Sequence, residues 1–180
     1  QLLSAEEQNL LMHMSIFHSG CRLDGIESIM GVEADELYFM LGALIDKSLI
    51  FKMDEGSVIR FQMLEYIREF CIDKLKATDM YEAAQEKQAD FYHDCLQRIK
   101  LQKNKVDQND VLRCLENEHN NLRQVMDFLL EKKELKKLTE LALTPKRNGK
   151  LNKTKKEKNE EAARELLALG VKIFNRATEK

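Results

Sequence analysis

The sequence predicts a mainly α-helical protein in which a single β-hairpin interrupts a succession of helices. Three observations carry that expectation. Capped segments of helical period fill the first 46 residues, strand-favouring runs follow between Leu49 and Phe61, and helical spacing resumes from Leu64 onward. Composition agrees: 43% of the 180 residues are apolar and 33% charged, with one Pro, which suits a helix-rich globular chain rather than a disordered or disulfide-built one.

Ser4 followed by Glu7 forms a capping box, in which each residue's side chain satisfies a free amide of the first turn. Leu10, Leu11, Met14 and Phe17 then recur at helical spacing, and Gly20 is expected to stop the helix. A second capping pair, Asp24 and Glu27, is expected to open a shorter helix bearing Ile26, Ile29 and Met30, which Gly31 closes. The third helix runs from about Glu33 to Asp46, with Leu37, Met40, Leu41 and Leu44 on one stripe. Leu49-Ile50-Phe51 and Val58-Ile59-Arg60-Phe61 are β-favouring runs, and Asp54-Glu55-Gly56-Ser57 between them reads as a hairpin turn with Gly56 supplying its backbone freedom. Leu64, Ile67, Cys71 and Leu75 begin another helix. Three helices followed by a hairpin is the winged-helix order, and it places a first domain at residues 1–78. An isolated hairpin is marginal in water, so this one must pack on the helices.

Residues 79–180 read as helical throughout, either an antiparallel bundle or a helical-repeat array. One long segment, Tyr81–Leu101, buries Ala84, Phe91, Cys95 and Ile99. Asp107 or Asn109 caps the next, whose buried candidates are Val111, Leu112, Leu115, Leu122, Val125, Met126 and Leu129. A shorter piece, Leu135–Leu143, ends before Pro145, and a final amphipathic helix covers about Asn159–Thr178, using Ala162, Leu166, Leu169 and Ile173. Between these two lies a basic stretch, residues 144–158, open to three readings: a solvated linker, a nuclear-import or nucleic-acid patch, or a loop between repeat helices.

Several function classes are disfavoured. Net charge is −2 and the isoelectric point about 6.2, so no global field draws the chain to nucleic acid or an anionic membrane. The four cysteines, Cys21, Cys71, Cys95 and Cys114, show no CxxC pairing and read as reduced core residues of a cytosolic protein. No apolar run approaches the roughly 18 residues of a membrane span, and no segment reads as a signal peptide. The opening on Gln1 rather than Met suggests part of a longer protein. Arg147-Asn148-Gly149-Lys150-Leu151 lacks the first Gly and the Ser/Thr of a P-loop. His93 with Cys95, and Cys114 with His119, are spaced so that helical geometry turns them about 200° and 140° apart, unsuited to local metal ligation. His13 and His18, placed together on the first helix, have no nucleophile turn beside them, and Glu116, Glu118 and Glu131 fall on helix faces expected to be solvated. No catalytic set emerges. Asn152-Lys153-Thr154 fits a glycosylation acceptor but lacks a secretory context.

A winged helix often sets its third helix in the DNA major groove. Here that helix carries Glu33, Asp35, Glu36 and Asp46, with Lys47 only at its end, and four carboxylates repel phosphate. If nucleic acid were bound, Lys47 and the wing residues Lys52 and Arg60 would make the contacts, beside Asp54 and Glu55.

Two segments resemble a known family. The runs LSAEEQNLLMHMSIFHSGCRLDGIESIMG, LGALIDKSLI and RFQMLEYIREFC are similar to the winged-helix domain of STAND-type NTPases, which include AfsR/LuxR-like regulators, apoptotic protease-activating factors and plant NLR (NB-ARC) proteins. LENEHNNLRQVMDFLLEKKE resembles the passage into the helical repeats of the bacterial-type members. The resemblance implies a cytoplasmic, non-catalytic regulatory and protein-interaction module that follows an ATPase domain. ADP or ATP would sit on that upstream domain, no cofactor on this chain, and the partner would be the nucleotide-binding domain or another protein. Met63-Leu64-Glu65 aligns with the family's Met-His-Asp motif, whose His contacts the ADP phosphate. Leu64 stands at the His position without a donor, so Met63 and Leu64 are expected to pack the helix start under the hairpin rather than touch nucleotide. The other function class is a DNA-binding winged-helix transcription regulator.

Overall fold

The computed structural model describes residues 3–54, 58–101, 114–134, 136–137 and 141. They divide between two compact units, Gln1–Phe91 and Tyr92–Lys180.

The first helix, α1 (Ala5–Met14), starts where the capping box places it: Glu7 N–H donates to Ser4 Oγ at 3.2 Å and Ser4 N–H to Glu7 Oε2 at 2.8 Å. The other Glu7 oxygen accepts from Lys47 Nζ, so one carboxylate both caps α1 and clamps the far end of the third helix. The Lys47 bond, followed by the Ser4 amide, holds the Glu7 carboxyl below the usual carboxylate range. Its stabilisation is therefore complete above the unfolded-state pKa and is lost as pH falls through the lower folded value. Urea midpoints at pH 5 and pH 3 test this. Wild type is expected to lose more between them than Glu7→Gln, which keeps only the remaining acid-sensitive pairs, such as Glu65 with Arg68.

α1 ends at Met14, with Ser15 as C-cap, not at Gly20; His18 therefore lies in the turn and does not share a helix with His13. Gly20 serves another purpose. Its φ is +71°, and an added Cβ would lie 2.6 Å from the Phe61 carbonyl oxygen, so the glycine lets two backbones meet. That meeting creates a strand not foreseen from the sequence, β1 (Cys21–Arg22), which pairs antiparallel with a wing strand through Cys21↔Phe61 and Arg22↔Arg60. With β2 (Ile50–Asp54) and β3 (Ile59–Met63) it makes a three-stranded sheet in the order β1-β3-β2. The wing register runs from Ile50↔Met63 to Asp54↔Ile59, so Ile50, Phe61 and Met63 face the core. Gly56 lies outside the described residues.

α2 (Leu23–Met30) begins one residue earlier than its expected cap. Arg22 is the N-cap, and Asp24 sits in the first turn, paired to Arg22 at 2.7 Å. Gly31 closes α2 in the left-handed region, φ +67°, as expected. α3 (Ala34–Asp46) buries Leu37, Met40, Leu41 and Leu44, the stripe read from spacing. α4 (Glu65–Lys76) buries Cys71, Ile72 and Leu75 and packs on α1. Leu10, Ile16, Ile26, Ile29, Leu37, Leu44 and Phe61 lie essentially without solvent exposure at the centre. Full burial of such a side chain contributes about 1.5–3 kcal/mol.

α5 (Met80–Leu101) is the long helix expected from Tyr81, and its first turns belong to this unit, which extends past residue 78. Gln88 Nε2 donates to the Ile16 carbonyl at 3.2 Å and Lys87 Nζ to the Ile29 carbonyl at 2.8 Å. Phe91 lies over Gly25, where an added Cβ would meet its ring at 3.4 Å.

In the second unit, α6 (His119–Glu131) buries Leu122, Val125, Met126, Phe128 and Leu129, and the later turns of α5 bury Tyr92 and Leu96. Cys95, Ile99 and Leu115 are only half-buried. Glu118 departs from expectation. It is buried rather than solvated, because its carboxylate accepts Tyr92 OH at 2.5 Å and Asn121 Nδ2 at 2.8 Å, which offsets the loss of water. Glu116 and Glu131 are exposed as expected. The proposed caps Asp107 and Asn109, the basic stretch 144–158 and the final helix 159–178 lie outside the described residues, as does most of 135–143.

Candidate functional site

The geometry of α3 decides what its surface can meet. At 100° per residue, Asp35, Phe39, Gly42 and Asp46 fall within about 60° of arc, and Tyr38 and Glu36 flank them. The buried stripe of Leu37, Met40, Leu41 and Leu44 lies on the opposite side of the helix. Phe39 is therefore 83% exposed and Tyr38 51%, and Asp35, Glu36 and Asp46 are all exposed. Among the described residues, none of these three carboxylates forms a salt bridge. β2 packs beside α3, and the wing adds exposed Phe51, Met53, Val58 and Ile59.

The cations offered for nucleic-acid contact are not brought together. Lys47 is half-buried and committed to Glu7. Arg60 is only 2% exposed, with Nη1 donating to the carbonyls of Gly20 at 2.9 Å and Ser19 at 3.2 Å. Of the three, Lys52 alone is exposed. Both corrections share one cause. Each cation stands where carbonyl or carboxylate oxygens of its own fold converge, and the bonds it makes there offset what its burial costs.

Met63, Leu64 and Glu65 link β3 to α4, and they separate by burial. Met63 packs inward, whereas Leu64 is 43% exposed, which corrects the expectation that it packs under the hairpin. Its extended backbone as N-cap of α4 turns the side chain out, while its carbonyl accepts Ile67 N–H and Arg68 N–H at 3.0 Å. Glu65 accepts Arg68 Nη2 at 2.6 Å, a bond that holds its carboxyl below the usual range. The hollow beside them, lined by Met14, Phe17, His18, Gly20, Met63 and Arg68, accommodates no more than about one water. No group of three or more His, Cys, Asp or Glu able to hold a metal occurs among the described residues.

Sequence spacing identified the buried face of α3 but did not single out what stands opposite. Phe39 and Tyr38 fall off the apolar stripe, and so do Tyr66 and Phe70 on α4, which are 68% and 63% exposed. An aromatic residue out of phase with the core stripe was the available signal.

Residues 3–76 match the family model described as a winged helix-turn-helix domain. The fold agrees in order and pairing: α2, the Gly31 turn and α3 form the helix-turn-helix, and β2–β3 form the wing. The N-terminal unit contains a winged helix-turn-helix domain. Comparison with curated proteins and with solved structures finds no significant match to the chain. Over residues 3–76 the domain carries seven Lys and Arg against thirteen Asp and Glu, a net charge of −6. Among the described residues, no helix is long and apolar enough to cross a membrane.

Proposed function

We propose that the chain is a non-catalytic regulatory module whose winged helix binds protein rather than DNA. The observation that carries this reading is the outward face of α3, which presents three unpaired carboxylates around exposed Phe39 and Tyr38. Protein-protein contacts favour desolvated aromatic anchors, whereas DNA contact requires cations that release counterions. The net charge of −6 and the internal use of Lys47 and Arg60 support the same reading.

The resemblance of its segments to STAND-type signalling ATPases supports a cytoplasmic setting for this module, next to a nucleotide-binding domain that would hold the ADP or ATP. The missing P-loop supports a role without hydrolysis or cofactor of its own. Exposed Leu64, at the position of the family's nucleotide-contacting His, supports packing against a partner over nucleotide contact.

One observation favours the other class, a DNA-binding transcription regulator: the helix-turn-helix itself, with exposed Lys52 on its wing. Titrating fluorescent mixed-sequence duplex DNA decides between them. The chain is expected to bind no tighter than the non-specific range of about 10⁻⁴–10⁻⁶ M, and Lys52→Ala is expected to change nothing. Tight, salt-dependent binding that Lys52→Ala abolishes would install the DNA-reading function instead.

A further inference from the structure

We infer that the occupant of the α3 face is a basic amphipathic helical segment of a partner protein, about three turns long, with cations near each end and apolar residues between. The inference rests on the protein-binding reading of α3 and adds the chemistry of what binds. Asp35 and Asp46 mark the two ends of the outward stripe and are eleven residues apart. At 1.5 Å per residue that spacing is about 16 Å. Glu36 reinforces the first end, and Phe39 and Tyr38 lie between. No cation shares the stripe, so a partner that neutralises it must bring its own positive charge to both ends and apolar surface to the middle.

Gly42 adds an independent geometric sign. It sits in the stripe, within a thirteen-residue helix, where a Cβ would meet nothing within 4 Å. Among the described residues nothing requires a glycine there, and glycine weakens a helix interior relative to alanine. Its absence of side chain, between Phe39 and Asp46, leaves a depression in which another helix backbone can approach closely.

The test uses the full chain and two synthetic amphipathic helical peptides with the same apolar face. One carries Lys pairs eleven residues apart, matching Asp35 and Asp46, and the other carries Glu at those positions. Fluorescence anisotropy is expected to show the Lys peptide binding at least about tenfold more tightly than the Glu peptide, with the difference shrinking as salt rises. Phe39→Ala and Gly42→Leu are each expected to weaken the Lys peptide about tenfold with unchanged circular dichroism, since both side chains lie outside the core. Asp35→Lys with Asp46→Lys is expected to reverse the preference between peptides. Equal binding of both peptides, still sensitive to Phe39→Ala, would overturn the basic partner while leaving α3 a protein-binding face. Binding indifferent to Phe39→Ala and Gly42→Leu would remove the site from α3 altogether, and with it the reading on which this inference rests. Failure of both peptides to bind would overturn the helical class of occupant.

Discussion

Replacing Gly20 by alanine is expected to lower the stability of the N-terminal unit by about 3 kcal/mol, read as a fall in the urea midpoint at unchanged slope. Two costs combine. The backbone at Gly20 is held at φ +71°, where a Cβ-bearing residue is strained. The new methyl would also stand 2.6 Å from the Phe61 carbonyl oxygen and 3.2 Å from Gln62 Cβ. Both obstacles belong to β3, whose Phe61 is paired with Cys21, so neither moves away without opening the β1–β3 ladder. Gly31→Ala supplies the control, because Gly31 has nearly the same φ, +67°, and open space where its Cβ would go. It is expected to cost only about 1 kcal/mol, the strain alone. Equal losses in the two variants would show that close approach to β3 contributes nothing, and that Gly20 is merely a turn residue.

Gly20 also shows where sequence reading reached its limit. The buried stripe of α3, the Ser4–Glu7 cap, the Gly31 stop and the two wing strands were legible because each depends on neighbours in the chain. Periodicity, capping and turn chemistry report such local arrangements directly. What was not legible arises from residues about forty positions apart. The glycine after α1 looked like a helix stop, yet its conformation answers to Phe61. Two-residue β1 has no pattern of its own and exists because β3 offers it a partner. Lys47 and Arg60 looked like surface cations, and only the folded chain places Glu7 and the Ser19 and Gly20 carbonyls against them. Glu118 misled at shorter range, since Tyr92, 26 residues away, takes it out of water together with neighbouring Asn121. The candidate site divides along this line. Its carboxylates were visible in the sequence, whereas the withdrawal of Lys47 and Arg60 into bonds within the fold was not.

Arg60→Met is expected to destabilise the winged helix by about 3 kcal/mol, which makes Arg60 a structural residue rather than a reader of nucleic acid. Its guanidinium donates to the Gly20 and Ser19 carbonyls at 2.9 and 3.2 Å from a position only 2% exposed. A charged donor contributes about 1.5–3 kcal/mol, and acceptors left buried without it add a desolvation cost. Methionine preserves much of the buried stem, so the loss reports the guanidinium more than packing. Arg60→Lys separates the two roles. A lysine keeps the charge but lacks the planar fork, and it is expected to cost about 1–2 kcal/mol at this buried position. A phosphate-contacting residue would respond otherwise, because Lys would retain most of its electrostatic contribution and the urea midpoint would hardly move. Thermal or urea unfolding of both variants, beside duplex-DNA titrations, therefore reads one residue in two ways. Loss of stability in both, with duplex-DNA binding unchanged from wild type, fits a domain whose arginine closes the junction between its first strand and its wing.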